Sequence, residues 1–167
     1  MVATVSEKNN KDCNGRYYYA FLTEKREVGD SSTHTPQHIT LFPPFIADQK
    51  DVLEIADEVA AEFDPIEVSP GEHAMFGPEN NIPVILIKPS RLLSSMHIAL
   101  SKKLEQKNIL IPSNDFIDED YTPHIALKPY QQKLDENKPI NIDHVAVMHK
   151  CKNIKTIMAK YTLGKSK

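Results

Sequence analysis

The pattern His-Ile-x-Leu-x-Pro occurs twice in this chain, as His38-Ile39-Thr40-Leu41-Phe42-Pro43 and as His124-Ile125-Ala126-Leu127-Lys128-Pro129. The histidines stand 86 positions apart in a chain of 167 residues, close to half its length. Each copy follows a proline, reads as a short strand, and is stopped by a proline, which cannot continue a central ladder. A repeat at half the chain length points to two related half-domains that present the same strand to a shared cleft. Side chains alternate faces along a strand, so His38 and Thr40 point one way while Ile39 and Leu41 point into the core. The imidazole and hydroxyl then sit about 7 Å apart at their Cα atoms. By the same rule His124, Ala126 and Lys128 share a face, with Ile125 and Leu127 inward.

The elements around the repeat are mixed. Residues 16–23 are rich in strand formers, 24–36 read as a polar loop, and 37–41 as a strand ended by Pro43-Pro44. Asp48 is placed to cap a helix carrying Val52, Ala56, Val59, Ala60 and Phe63 on one face, ended by Asp64-Pro65. Strands are expected at 66–68, 74–76 and 82–87. Ser90 is placed to cap a second helix with Leu93, Met96, Leu100 and Leu104 on its buried stripe. Residues 108–120 read as a loop or short strand, 123–127 as a strand and 131–136 as a brief helix. Two strands close the chain at 140–148 and 154–163, with Ile157, Ala159, Tyr161 and Leu163 alternating against Met158, Lys160 and Thr162. Strands and helices intermixed in this way give an α+β fold. Residues 1–15 form a polar leader, expected to be disordered, and 16–164 a single domain.

Composition narrows the function classes. Twenty Lys and Arg against 23 Asp and Glu leave a net charge of −3, too few surplus cations to clamp a long duplex through its phosphates. Five glycines, none grouped, exclude a phosphate-cradling loop. No apolar run approaches membrane-spanning length, and the first fifteen residues lack the apolar centre of a signal peptide, so a cytoplasmic protein without membrane contact is expected. Cys13 and Cys151, far apart in sequence, are expected to be free thiols.

Two imidazoles on either side of one phosphate can cleave a phosphodiester in line without metal. One takes a proton from the attacking oxygen and the other protonates the leaving oxygen, both near their ordinary pKa of about 6.5. Hydroxyl and cation donors can hold the charge on the non-bridging oxygens. The letters alone are weak: His97-Ile98-Ala99-Leu100 spells the second motif on a predicted helix, where His97 reads as structural or surface.

Paired His-x-Thr/Ser motifs, each followed by an apolar residue and half a chain apart, resemble the 2H phosphoesterase superfamily, in particular its 2′-5′ RNA ligase-like branch. The resemblance runs from about Tyr17 to Leu163. It implies two pseudo-symmetric lobes of mainly antiparallel sheet, with helices packed outside and both motifs lining a central cleft. It also implies metal- and cofactor-independent chemistry on 2′,3′-cyclic phosphates or 2′-5′ linkages, in RNA ends or small nucleotides, by a monomer. Position by position, it makes His38 and His124 the catalytic pair and Thr40 the first phosphate-binding hydroxyl. Ala126 departs from it, standing where the second Thr or Ser belongs. Lys128, on the same predicted face, is placed to supply a replacement cation.

Phe42, Tyr121 and Tyr130, near the motifs, are candidates to stack on a base. Of Tyr17-Tyr18-Tyr19, only part can line a cleft, and His34 reads as incidental. A metal site built from Asp115, Asp118, Glu119, Asp120, His144 and His149 is a rival, but no ligand spacing supports it. A second rival, motivated by Ala126, is a non-catalytic nucleotide or RNA-end binding module.

Overall fold

A computed structural model of the chain describes residues 15–111 and 117–164. The expected leader and Asp115 fall outside the described residues, apart from Gly15. The strands are β1 Arg16–Leu22, β2 Ser31–Ser32, β3 His38–Ile46, β4 Ile66–Val68, β5 Pro70–Phe76, β6 Ile82–Ile87, β7 His124–Ala126, β8 Ile140–Ile142, β9 His144–Cys151 and β10 Ile154–Thr162. The helices are α1 Gln49–Glu62 and α2 Arg91–Gln106, with a short 3-10 turn at Asp118–Asp120. Eight strands form one antiparallel sheet in the order β2-β10-β9-β1-β3-β7-β6-β5, and β4 pairs with β8 in a second. The fold is α+β, as its elements predict.

Both helices pack on one face of the large sheet. α1 buries Val52, Ile55, Ala56, Val59 and Ala60, and α2 buries Leu93, Met96, His97, Leu100 and Leu104. They meet Tyr17, Tyr19, Ile39, Leu41, Phe42, Ile125, Val145 and Val147 in one core. At about 1.5–3 kcal/mol for each large aliphatic or aromatic side chain taken from water, this face supplies most of the driving force. Ser90 caps α2, its hydroxyl accepting the Leu93 N–H at 3.2 Å. Asp48 stands at the α1 N-cap without a side-chain cap bond. The opposite face of the sheet carries a smaller cluster, Tyr18, Ala20, Leu22, Ala146, Met148 and Ile157, on which Val28 from the β1–β3 connection packs. Tyr17 and Tyr19 therefore enter the main core while Tyr18 faces the other way.

Several local expectations are corrected. Pro43 and Pro44 do not end β3, which continues to Ile46. The register shift against β1 between Tyr17 and Tyr19 absorbs them, and β7 pairs with β3 at only Ile39 and Ile125, so the prolines lie on a stretch with one open side. The helix expected at 131–136 is absent. Gln131 and the Gln132 carbonyl instead bond across to Thr35 and Gln37, which holds the segment open. The strand expected at 140–148 is split at Asp143 between two sheets. The alternation expected in β10 breaks at a bulge: Ile157 pairs with Met148 and Ala159 with Val147, so Met158 joins the main core while Ile157 stays in the smaller cluster.

Cys151 is disulfide-bonded rather than free, and the only other cysteine, Cys13, lies outside the described residues. Sequence separation misled here: Tyr17 pairs with His149, so the end of β9 lies beside the start of β1. Among the described residues, no helix is long and apolar enough to cross a membrane.

Candidate active site

The two motif strands are neighbours in the sheet, joined antiparallel through Ile39 and Ile125. They lie side by side rather than facing each other across a gap. This register gives the repeat a local twofold relation. His38 falls opposite Ala126, and Thr40 falls opposite His124. Ile39 and Ile125, both fully buried, turn to the helix face, so the two histidines, Thr40 and Ala126 share the other face. The imidazoles are diagonal neighbours, about 7–8 Å apart at their Cα atoms. Side chains that leave one face at that Cα spacing can both reach a phosphate bound between them.

Both rings are oriented by the same device. His38 Nδ1 lies 2.7 Å from the Pro36 carbonyl, and His124 Nδ1 lies 2.8 Å from the Thr122 carbonyl. A carbonyl only accepts, so each Nδ1 carries the hydrogen and donates it. In the neutral ring the basic lone pair is then on Nε2. Burial holds both imidazoles below 6.5, opposed in each by the carbonyl bond. For His38, a charge on His124 lowers it further and Glu24 raises it. The mutual influence means that protonating one ring disfavours protonating the other, the condition for one acid and one base at a single pH.

The two histidines line a cavity of about 340 Å³ together with Thr35, Phe76, Gly77, Ile82, Val84, Ala126, Lys128 and Gln131. Phe76 meets the His124 ring edge-on at 4.7 Å between centroids. Gly77 is required there: its φ is +96°, and a Cβ would stand 2.8 Å from Ile82 Cδ1 in the cavity wall. A smaller hollow of about 230 Å³, lined by Thr40, Pro43, Pro44, Tyr121, Thr122 and His124, adjoins it at His124. Another hollow, about 1030 Å³, lies away from the motifs' histidines, between the β3–α1 turn and the end of α2. Its lining holds no histidine.

Other residues brace the pair. Gln131 donates to the Thr35 carbonyl at 3.2 Å and accepts from the Lys128 N–H at 3.0 Å. Gln37 accepts from the Thr23 hydroxyl at 2.7 Å and donates to the Gln132 carbonyl at 3.0 Å. Together they tie the segment entering β3 to the segment leaving β7. Tyr121 donates to the Thr40 carbonyl at 2.8 Å and stacks on His97 at 4.0 Å. His97 is buried and structural. Its Nδ1 donates to the Leu41 carbonyl at 2.8 Å, and its Nε2 accepts the Asp118 N–H at 2.8 Å. Burial lowers its pKa, so at neutral pH the 4.0 Å approach of the Asp118 carboxylate is not an ion pair.

The remaining sequence candidates divide. Ala126 and Lys128 line the cavity. Tyr121 borders the smaller hollow and is itself half-buried. Tyr130 is exposed and stacked on His34 at 4.1 Å. Phe42 does not line the histidine cavity: it is fully buried in the main core, stacked on His97 at 5.2 Å. The register shift beside Leu41 turns it inward and breaks the simple alternation from His38. His149 is buried against Tyr17, and His144 bonds Asp143 and the Leu22 N–H, both outside the cavity lining. Among the described residues, no three His, Cys, Asp or Glu side chains are grouped to hold a metal ion. Sequence reading missed Thr35, Gln131 and Phe76. Gln131 carried a signal, being a polar residue two beyond the proline that closes the second motif.

A sequence model of the 2′-5′ RNA ligase superfamily matches residues 20–142, a span that includes both motifs. Two curated proteins, from Geobacillus sp. strain WCH70 and Geobacillus kaustophilus strain HTA426, provisionally named phosphoesterases, are each 30% identical over 95 residues. The match covers 55% of this chain and 50% of each relative, so the chain spans about half the length of the curated relatives it matches. Among solved structures, TT0787 of Thermus thermophilus superposes with a TM-score of 0.61 at 16% identity, covering 89% of this chain and 98% of that one. Escherichia coli LigT complexed with 3′-AMP gives 0.55 at 12% identity over the same shares. At such identities the structural likeness speaks for the fold.

Proposed function

The chain belongs to the 2′-5′ RNA ligase superfamily, and on that premise we propose that it is a metal-independent phosphodiesterase acting on 2′,3′-cyclic phosphates or 2′-5′ linkages in nucleotides or RNA ends. The observation that carries the reading is the diagonal pair of imidazoles, each with Nδ1 bonded to the carbonyl two residues before it. In cyclic phosphate opening, a neutral imidazole takes a proton from water at Nε2 as the water oxygen bonds to phosphorus. The bond from phosphorus to one ribose oxygen breaks, and that oxygen receives the Nε2 proton of the other, charged imidazole. A phosphomonoester and a free ribose hydroxyl result. Thr40 and Lys128 stabilise the charge on the non-bridging oxygens. The apolar wall of Phe76, Ile82 and Val84 suits a nucleoside better than a bare sugar phosphate. Crystal structures of Escherichia coli LigT with 3′-AMP, NADP+ and ATP are in keeping with a nucleotide in such a cleft.

The test is turnover of a panel of nucleoside 2′,3′-cyclic phosphates and 2′-5′ linked dinucleotides, with and without EDTA. His38→Ala and His124→Ala are each expected to abolish product while circular dichroism stays native. Near-normal activity in either variant, or loss in EDTA restored by a divalent metal, overturns the two-histidine mechanism. One observation favours a second reading: Ala126 leaves the position opposite His38 without a hydroxyl. Tight nucleotide binding with no product after prolonged incubation of the unaltered protein would assign the cleft to a binding module.

A further inference from the structure

The lysines of this acidic chain are unevenly satisfied. On the helix face, Lys103 pairs with Glu58 and Glu62, and Lys107 with Asp51 and Glu54. On the histidine face, Lys128, Lys150 and Lys155 have no carboxylate partner among the described residues. Their shared face follows from register. Ala20 pairs with Thr40, Tyr18 with Met148, and Met148 with Ile157, so the smaller apolar cluster lies on the face of the histidines. Lys150 is two residues beyond Met148 and Lys155 two before Ile157, and the two lysines pair directly across β9 and β10. Like charges placed opposite each other on a sheet oppose folding. Both side chains are half-buried, and burial, then Lys150 and Lys128, hold the Lys155 ammonium below its ordinary pKa.

The basic group is continuous with the cavity. Lys155 Nζ donates to the Thr33 carbonyl at 3.3 Å, the next residue, His34, stacks on the exposed ring of Tyr130, and Thr35 and Lys128 line the cavity itself. We propose that Lys128, Lys150 and Lys155 form a phosphate track leading away from the histidine pair, with the Tyr130–His34 stack as a base platform, so that the preferred substrate is the 3′ end of a single-stranded RNA rather than a lone nucleotide. The proposal rests on the phosphodiesterase reading above and extends it to the nucleotides preceding the reacting phosphate. Backbone phosphates supply the anions that no carboxylate provides to these three lysines, and stacking on the platform is tolerant of sequence.

The experiment measures binding of a five-nucleotide RNA ending in a 3′-phosphate, which is not turned over, by fluorescence anisotropy, with a nucleoside 3′-monophosphate and ATP as competitors. The pentamer is expected to bind at least about tenfold tighter than the monophosphate. The double variant Lys150→Gln/Lys155→Gln loses about tenfold in pentamer affinity. Its plot of log affinity against log salt becomes shallower by about 1.4, the contribution of two phosphate contacts on a single strand. It should also melt at a higher temperature, because the cross-strand repulsion is gone. Lys150→Arg/Lys155→Arg retains the affinity, and Lys103→Gln, on the helix face, leaves it unchanged. Wild-type pentamer affinity and salt slope in the Gln double variant overturn the track, as does ATP competing as tightly as the pentamer. If no cyclic phosphate is turned over yet the double variant loses pentamer affinity, the phosphodiesterase reading fails while the track stands.

Discussion

Replacing Ala126 by threonine tests the site where the second motif lacks the hydroxyl of the first. The Ile39–Ile125 pairing puts Thr40 opposite His124 and Ala126 opposite His38, so one imidazole has a hydroxyl across from it and the other a methyl. Cross-strand neighbours on one face have Cβ atoms about 4.5–5.5 Å apart, which brings the hydroxyl introduced by Ala126→Thr within reach of a phosphate held at His38 Nε2. Loss of one donor to a developing oxyanion costs about 10²–10³ in kcat. Ala126 is only half-buried, so the lower end applies, an expected gain of about 10²-fold, or about 2.7 kcal/mol at 1.36 kcal/mol per decade. The two extra heavy atoms enter a cavity of about 340 Å³, and threonine favours strands, so folding should be unharmed. The assay is the initial rate of opening of a nucleoside 2′,3′-cyclic phosphate by Ala126→Thr, Ala126→Ser and Ala126→Val. Threonine and serine should accelerate it, and valine, isosteric with threonine but lacking the hydroxyl, should not. An equal gain from valine refutes the donor argument. No gain from either hydroxyl, with Lys128→Gln slowing the reaction about 10²-fold, would place that charge stabilisation on Lys128.

Three further outcomes are expected. Because burial lowers both catalytic imidazoles, the bell-shaped profile of kcat/KM against pH should peak on the acid side of 6.5; a maximum above about pH 7.5 would contradict the pair. Five histidines, His38, His97, His124, His144 and His149, have lowered pKa values in the fold. Above about 6.5 they are neutral both folded and unfolded. Below it the unfolded chain protonates first, so stability is lost as pH falls through the folded values, and thermal melts should be flat from about pH 8 to 7 and drop toward pH 5. His97→Leu orphans the Leu41 carbonyl and the Asp118 N–H at roughly 1–3 kcal/mol each, so Tm should fall, and kcat should fall with it because the backbone just after Thr40 loses its brace.

Local rules read from the residues carried much of the fold. The α2 helix formed with its predicted stripe and Ser90 cap, and Tyr17-Tyr18-Tyr19 divided between faces as strand alternation requires. The failures share one cause, since in each a tertiary partner overrode a local signal. Pro43 and Pro44 read locally as a stop because a central strand needs their missing N–H groups, yet β7 pairs with β3 at a single residue pair and does not require them. Gln131 and Gln132 favour a helix by propensity but direct their bonds to Thr35 and Gln37. Period-two counting puts Phe42 on the His38 face, and a register shift turns it into the core.

The candidate site divides along the same line. The repeat, its half-chain spacing and the departure at Ala126 are properties of the sequence, and within the unbroken stretches 38–40 and 124–126 strand alternation decides which side chains share a face. Only the tertiary structure decided that the two motif strands are neighbours and that their antiparallel register pairs each histidine with the other motif's third residue. It also brought Lys150 and Lys155 together on the histidine face. The reason is physical: alternation is fixed by covalent geometry within one strand, whereas register is fixed by which residues can be buried together, and here the buried Ile39 and Ile125 set it.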